Sequence, residues 1–339
     1  MANVTMRELG RLMGVSAVTV SKALSGKSGV SEEMRRKIVK LAEDLGYVNP
    51  HAAHDNEARR LDVGILVPDQ FFSAESYYAT FYKYLVQALS DAGHYGLLEL
   101  LGESDEKALV LPNLVRNRRV DALILLGQPS REYVRMIARQ EVPVVFLDFY
   151  DEHAGADAVV GDNTYACYRL TTHLIKNGHT DIGFVGDVRA TSSIMDRYLG
   201  FYRAMLSREL PIREEWVIPD RDASGELFKS ALPLPEKLPT AFVCNCDIVA
   251  CWLMEQLTGM GLRIPEDVSV VGFDDFTMGL TPVTPLTTFR MDCQAMASMA
   301  VKLVNERCAS MQRSCGRMVV SGQLIHRDSV KTLSRPEEA

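Results

Sequence analysis

The chain has 339 residues, 47% of them apolar, and a formal charge of −7. That is enough apolar material for two or three packed domains, and no run approaches the ~20 apolar residues that a membrane span needs. Residues 1–7 lack the apolar core of a secretory signal, so a cytoplasmic protein is expected. The seven cysteines are scattered and odd in number, which suits free thiols rather than a disulfide framework. Cys244 and Cys246 form a C-x-C with no second Cys or His pair to complete a metal site. The charge is uneven. Residues 1–60 carry 10 Lys and Arg against 7 Asp and Glu, a net +3, and the remainder carries −10. A small basic head on an acidic body suits a DNA-binding module joined to something else.

The head begins with Thr5 and Glu8, spaced as a capping box. Leu9, Leu12 and Met13 then share a helical face. Gly14 is placed to end that helix, Val15 to plug the turn, and Ser16 to cap a second helix. On the second helix Val20, Ala23 and Leu24 face inward, leaving Ala17, Val18, Ser21 and Lys22 outward. Helix, glycine turn and helix is the layout whose second helix lies in the DNA major groove. Ser31-Glu32-Glu33 starts a third helix, with Met34, Ile38, Leu41 and Leu45 at helical spacing. Its outer faces carry Arg35, Arg36, Lys37 and Lys40, available to phosphates or to solvent.

Residues 48–62 are polar, hold Pro50, His51 and His54, and show no core pattern: a linker. From Leu61 short apolar runs alternate with helical segments. The runs are 63–67, 95–101, 122–126 and 142–147, with amphipathic stretches near 77–92, 106–117 and 130–140. The pattern restarts at 182–186, followed by 240–244 and 268–273. This alternation predicts parallel sheets covered on both faces, in two lobes. Ligands of such sheets sit beyond the carboxyl ends of the strands. The polar residues there are Asp69, Asp148, Asp162, Asp187, Asn245, Asp247, Asp274 and Asp275.

The chain resembles the lactose-repressor-type (LacI/GalR) family of transcription regulators along essentially its whole length. The head carries G-V-S-x-x-T-V-S-K-A-L at 14–24, V-S-E-E-M-R-R-K-I at 30–38 and L-G-Y at 45–47. The body carries R-R-V-D-A-L-I-L at 118–125, P-V-V-F-L-D at 143–148, H-L-I-K-N-G-H at 173–179 and R-Y-L-G-F at 197–201. It ends with R-I-P-E-D-V-S-V-V-G-F-D-D at 263–275 and T-P-L-T-T at 284–288. The resemblance implies an all-α helix-turn-helix head at 1–48, a hinge at 49–61 and a two-lobed α/β periplasmic-binding-protein-like effector domain at 62–333, with a tail at 334–339. The first lobe would hold about 62–161 and 291–319, and the second about 162–290 and 320–333. A homodimer on a near-palindromic operator is implied too. The last residues lack leucine heptads, so no tetramerising coiled coil is expected.

By position, Ala17, Val18 and Lys22 match the family's base readers, with Lys22 in place of the more usual arginine. Lys22 donates as a point charge rather than a fork. Thr5, Ser16, Thr19, Ser21 and Ser31 match phosphate-contacting or capping positions. The hinge departs from the pattern. His54 stands where the family has arginine, and Asn56 where a leucine wedges into the minor groove; Asp55 adds a negative charge. Weaker or less deforming operator binding is therefore expected.

For the effector, Arg197, Asp247 and Asp274 match ligand-binding positions, although Cys246 replaces the usual asparagine before Asp247. An inter-lobe salt bridge is the rival role for Arg197. Asp148 and Asp69-Gln70 are further acceptors. Tyr77 and Tyr78 match an aromatic pair, with core packing as their rival. Arg221, in P-D-R-D at 219–222, points either to an anionic ligand or to solvent. Carboxylates, an arginine and aromatic faces together suit a sugar or sugar derivative first and a purine-like ring second. No G-x-S-x-G, P-loop or H-E-x-x-H occurs, and Gly178, Gly183 and Gly186 do not make a dinucleotide fingerprint. Neither an enzyme nor a bound cofactor is expected.

Overall fold

The computed structural model describes residues 5–24, 30–44, 60–73, 76–222, 225–228, 231–310 and 316–333. The chain divides into two compact units at Arg60–Leu61.

The first unit contains α1 (Met6–Met13), α2 (Ala17–Leu24) and α3 (Glu32–Asp44). Gly14 ends α1 at φ +65°, a conformation that only glycine adopts freely. The Ser16 hydroxyl then accepts from the Thr19 N–H and caps α2, and Ser31 does the same for α3 through the Met34 N–H. Leu9, Val20, Ala23, Ile38 and Ala42 form the core, with Met13, Val15, Val30, Met34 and Leu41 around it. Leu12 corrects the expected face: it is 54% exposed. Its position one residue before Met13 rotates it past the edge of the buried stripe. Gly10 was not anticipated. A Cβ there would sit 2.7 Å from the Val15 carbonyl oxygen, so the turn closes this tightly only over a glycine.

The second unit holds two parallel sheets. The first has the order β11-β5-β4-β3-β1-β2. Its strands are β1 (Asp62–Pro68), β2 (Tyr95–Leu101), β3 (Ala122–Leu126), β4 (Val144–Leu147), β5 (Asp157–Gly161) and β11 (Arg317–Val320). Strands β1, β3 and β4 are apolar nearly throughout because both faces are covered. On one face α4 (Tyr77–Asp91) and α11 (Cys293–Ala309) pack Phe81, Leu85, Met296 and Ala300 against Ile65 and Ile124. On the other, α7 (Arg131–Ala138) packs Tyr133, Val134 and Ile137 against Leu66, Leu123 and Phe146. The single helix expected over 106–117 is instead α5 (Glu103–Lys107) and α6 (Asn113–Arg116). Pro112, which cannot donate to a preceding turn, separates them.

The second sheet has the order β7-β6-β8-β9, from β6 (Ile182–Val185), β7 (Val217–Ile218), β8 (Ala241–Cys244) and β9 (Ser269–Val271). Helices α8 (Asn163–Lys176) and α9 (Ser192–Leu206) cover one face. Helix α10 (Asp247–Gly259) covers the other. Strands β10 (Thr288–Met291) and β12 (Gly322–Ile325) form a separate antiparallel pair.

The chain passes between the sheets after β5, after β10 and between β11 and β12. These passages lie side by side. The Asp162 N–H donates to Val320 O. A Cβ on Gly161 would collide with the Met291 side chain, and one on Gly322 with the Arg290 carbonyl.

Candidate DNA-contacting helix and effector cavity

On α2, Val18 is 65% exposed, and Ser21 and Lys22 are exposed beside it. Ala17 and Thr19 are half-buried. Ser16 and Thr19 are hydrogen-bonded to each other through their hydroxyls, 2.9 Å apart. Thr5 and Ser31 are exposed at the starts of α1 and α3. An apolar tip and an ammonium one turn apart suit a thymine methyl and a purine acceptor. Arg35 is spent differently from the expectation. Its guanidinium donates to the carbonyls of Ala23 at 3.1 Å and Lys22 at 3.4 Å, closing the C-terminal end of α2. The hinge residues His51, His54, Asp55 and Asn56 lie outside the described residues.

Between the two sheets lies a cavity of about 390 Å³. Its polar centre is Arg197 of α9, a buried residue. Burial works against its charge, but Asp274 and Asp148 raise its pKa overall. Its Nε donates to Asn163 Oδ1, Nη1 to the Asn245 carbonyl and Nη2 to Asp274 Oδ1, at 2.9, 2.6 and 3.2 Å. The guanidinium also lies over the Phe273 ring, 3.8 Å from its centroid. Asp148 stands at the carboxyl end of β4 with φ +70° and accepts from Tyr78 Oη at 2.9 Å. Burial lifts its pKa to about 6, with Asp274 adding and Arg197 and Tyr78 opposing. Tyr77 packs edge-on to both Tyr78 and Phe276, and its hydroxyl lies 3.1 Å from Cys293 Sγ.

The lining includes Tyr77, Tyr78, Asp148, Arg197, Arg221 and Asp274 from the expected set, and Gln70. Asp69 does not line it; it is exposed in the short turn after β1. Asp247 does not line it either. It is buried at the start of α10, where Oδ1 accepts from Thr288 Oγ1 at 2.6 Å and Oδ2 from the Phe276 N–H at 2.8 Å. Asp247 therefore positions the loop that carries Phe276 into the cavity.

Arg221 is not a free cation. Its Nε and Nη2 donate to Asp220 at 3.0 and 2.9 Å. Asp220 is itself buried and also accepts from Asn245 Nδ2 and the Asp187 N–H. Burial would raise its pKa, but Arg221 and the other donors hold it below the usual value. Two arginines thus face three carboxylates, Asp148, Asp220 and Asp274, so the cavity has no positive excess to attract an anion.

Two polar bridges span the cleft. Gln128 Oε1 accepts from the Ser192 N–H at 2.9 Å and from its hydroxyl at 3.0 Å, and Tyr150 Oη donates to Asp196 Oδ1 at 3.2 Å. Sequence reasoning missed Gln128, Asp220, Ile248, Trp252 and Phe276. Gln128 follows the carboxyl end of β3, so the rule that marked Asp148 also reaches it.

Comparison with known proteins adds two matches. Residues 5–49 match the bacterial regulatory proteins of the lacI family, and residues 171–330 match the periplasmic binding protein-like domain. Together they give the chain a lacI-type helix-turn-helix head and a periplasmic-binding-protein-like body. That pairing of domains makes it a transcriptional regulator with an effector-binding body. The HTH-type transcriptional repressor PurR of Vibrio parahaemolyticus is 28% identical over 340 residues, spanning 97% of this chain and 99% of the relative. Among solved structures, the transcriptional regulator CelR in complex with cellobiose superposes with a TM-score of 0.67 at 23% identity, covering 96% of this chain and 99% of that one. The lac repressor dimer bound to operator and the anti-inducer ONPF gives 0.63 at 19%, covering 97% and 100%. At these identities the structures show the fold alone. Among the described residues, no helix is long and apolar enough to cross a membrane, and no cluster of His, Cys, Asp and Glu is arranged to hold a metal ion.

Proposed function

We propose that the chain is a dimeric repressor whose grip on a near-palindromic operator is set by a neutral, hydroxylated small molecule, a sugar or sugar derivative, bound between the lobes. The observation that carries this reading is the buried Arg197–Asp274 pair with Asp148 beside it in the cavity. Carboxylates accept from hydroxyls, the guanidinium donates to them, and the surrounding ring faces cover the C–H side of a pyranose. Pairing of Arg221 with Asp220 supports a neutral ligand over an anionic one. A related fold holds cellobiose in CelR. A planar nucleobase is the second reading, because Phe71, Tyr78, Phe276 and Trp252 all line the cavity and aromatic faces stack on such rings.

Ala17, Val18 and Lys22 read base edges in this scheme. Thr5, Ser16, Thr19, Ser21 and Ser31 set the register on the phosphates. Effector binding favours one closure of the lobes and so resets the heads, a coupling of about 1–3 kcal/mol. The experiment is a thermal-shift screen of the full chain against neutral sugars, sugar phosphates and nucleobases, followed by operator binding with and without each hit. Neutral-sugar hits lost in Arg197→Ala support the reading. Hits confined to phosphorylated compounds or to nucleobases overturn the sugar assignment.

A further inference from the structure

Away from the effector cavity, the first lobe has a second opening of about 390 Å³, lined by Arg135, Arg139, His153 and Ala154. Arg135 lies in the last turn of α7, and Arg139 directly follows that helix. His153 and Ala154 belong to the loop between β4 and β5. Arg131, Arg135 and Arg139 recur every fourth residue and so share one side of the helix, away from Tyr133, Val134 and Ile137 in the core. Like charges at that spacing repel and weaken a helix. The helix dipole accounts for positive charge in the last turn. It does not account for the Nε of Arg135, which is buried with no hydrogen-bond partner. A buried donor left unpaired is costly, more so on a charged group, and arginine cannot shed its proton to escape. The nearest carboxylates are engaged with His153 instead. Asp151 Oδ1 accepts from the His153 N–H at 2.9 Å, and Glu152 Oε1 lies 3.4 Å from His153 Nε2. Among the described residues, no carboxylate makes an ion pair with Arg135 or Arg139.

We propose that this pocket binds the phosphate group of a phosphorylated small molecule. The Arg135 and Arg139 guanidinia donate to its oxygens, and His153 closes the loop side. Two guanidinium forks one turn apart suit a dianion with several terminal oxygens, whereas a lone carboxylate satisfies a single fork. The pocket lies outside the effector cavity, so the proposal stands whichever effector that cavity takes. His153 shares its loop with Tyr150, which donates to Asp196 across the cleft. An anion held against His153 therefore restrains the loop that makes this bridge.

Calorimetric titration of the full chain with inorganic phosphate, at an ionic strength held constant with chloride, tests the proposal. Arg135→Ala and Arg139→Ala are each expected to weaken phosphate binding about tenfold or more. Arg135→Lys, which keeps the charge and loses the fork, should weaken it about threefold or more. Arg131→Ala, on the same side of the helix but outside the lining, should leave it within about twofold. Arg139 is exposed, so its replacement tests the pocket should Arg135→Ala fail to fold. Hydrogen exchange locates the ion: phosphate should slow the amides of residues 150–156 in the parent and not in Arg139→Ala. Absence of saturable binding, binding without protection of that loop, or an equal loss in Arg131→Ala overturns the proposal. Phosphate affinity lost in Arg197→Ala and kept in Arg139→Ala places the ion in the effector cavity and overturns it too. Operator affinity lost in Arg139→Ala, in buffer free of phosphate, assigns the pocket to the DNA backbone and overturns the small-molecule ligand.

Discussion

Gln128 and Ser192 face each other across the cleft: the amide oxygen of one accepts from both the backbone N–H and the hydroxyl of the other, at 2.9 and 3.0 Å. Ser192 is the first residue of α9, the helix that carries Arg197. The contact therefore ties the closure of the lobes to the helix that holds the centre of the cavity. Replacing Gln128 by Ala removes about 0.5–1.5 kcal/mol of this contact. Effector affinity should fall about threefold to tenfold with little change in melting temperature. Calorimetry and a thermal melt on the same sample check this, and unchanged affinity would show that the bridge does not bias closure.

Arg197 and Asp274 are both largely buried, with side chains 8% and 12% exposed. Removing one partner strands the other charge. Arg197→Ala should destabilise the body by about 3–5 kcal/mol. Asp274→Asn added to Arg197→Met should recover part of that loss. Urea melts of the parent, Arg197→Met, Asp274→Asn and the double variant measure it, and strict additivity of the single effects would contradict a coupled pair.

Asp148 gives the body a pH dependence of stability. Its folded pKa of about 6 lies above its ordinary value of 3.8, so between those limits the folded chain holds more proton than the unfolded one. Its favourable contribution is complete below about pH 4 and is lost as pH rises through 6, a total of at most about 3 kcal/mol. Asp148→Asn should therefore gain stability relative to the parent as pH rises from 4 to 7. A constant difference between the two proteins across that range would rule this out.

Lys22 is exposed on α2 beside Val18. Lys22→Ala should weaken operator binding by about 1–3 kcal/mol and relax base preference at one position in each half-site. Gel-shift titration of operator variants tests it. A uniform loss across all sequences would make Lys22 a phosphate contact instead.

Gly10→Ala should damage the head while sparing the body. The added methyl meets the Val15 carbonyl oxygen at 2.7 Å, and backbone cannot move aside cheaply. Operator binding should fall at least about tenfold, while effector binding and the main thermal transition stay unchanged. Asn56→Leu acts in the opposite sense: restoring an apolar wedge should tighten operator binding and increase bending, read by electrophoretic mobility of a site permuted along a fragment.

Local rules reached much of the fold and less of the cavity. Caps, the Gly14 turn and the alternation of apolar runs with helical stretches foreshadowed the head and both sheets, because those signals sit within a few residues of each other. Strand β11 gave no such signal. Its four residues are only half-covered, and it joins β5 from more than 150 positions away. Asp247 shows the limit of a positional argument. It follows a strand as a ligand residue should, yet Thr288 and Phe276 claim both of its oxygens, and neither partner is near it in sequence. Asp220 failed for the opposite reason: its neighbour Arg221 drew the attention, while the contacts that bury Asp220 come from Asn245 and Asp187.

Three lengths of backbone join the lobes, packed edge to edge at Gly161, Met291 and Gly322. A single strap would let the lobes swivel in any direction. Three straps laid flat resist twisting and sliding, since either motion must stretch or shorten the outer ones. The remaining soft motion is a fold about the line that crosses all three, as in a door leaf. In the scheme proposed above, a molecule bound in the cleft would act chiefly on that one angle. Glycine at two of the three straps keeps that axis thin: a side chain at Gly322 would meet the Arg290 carbonyl, which is backbone, whereas at Gly161 it would meet only the flexible end of Met291.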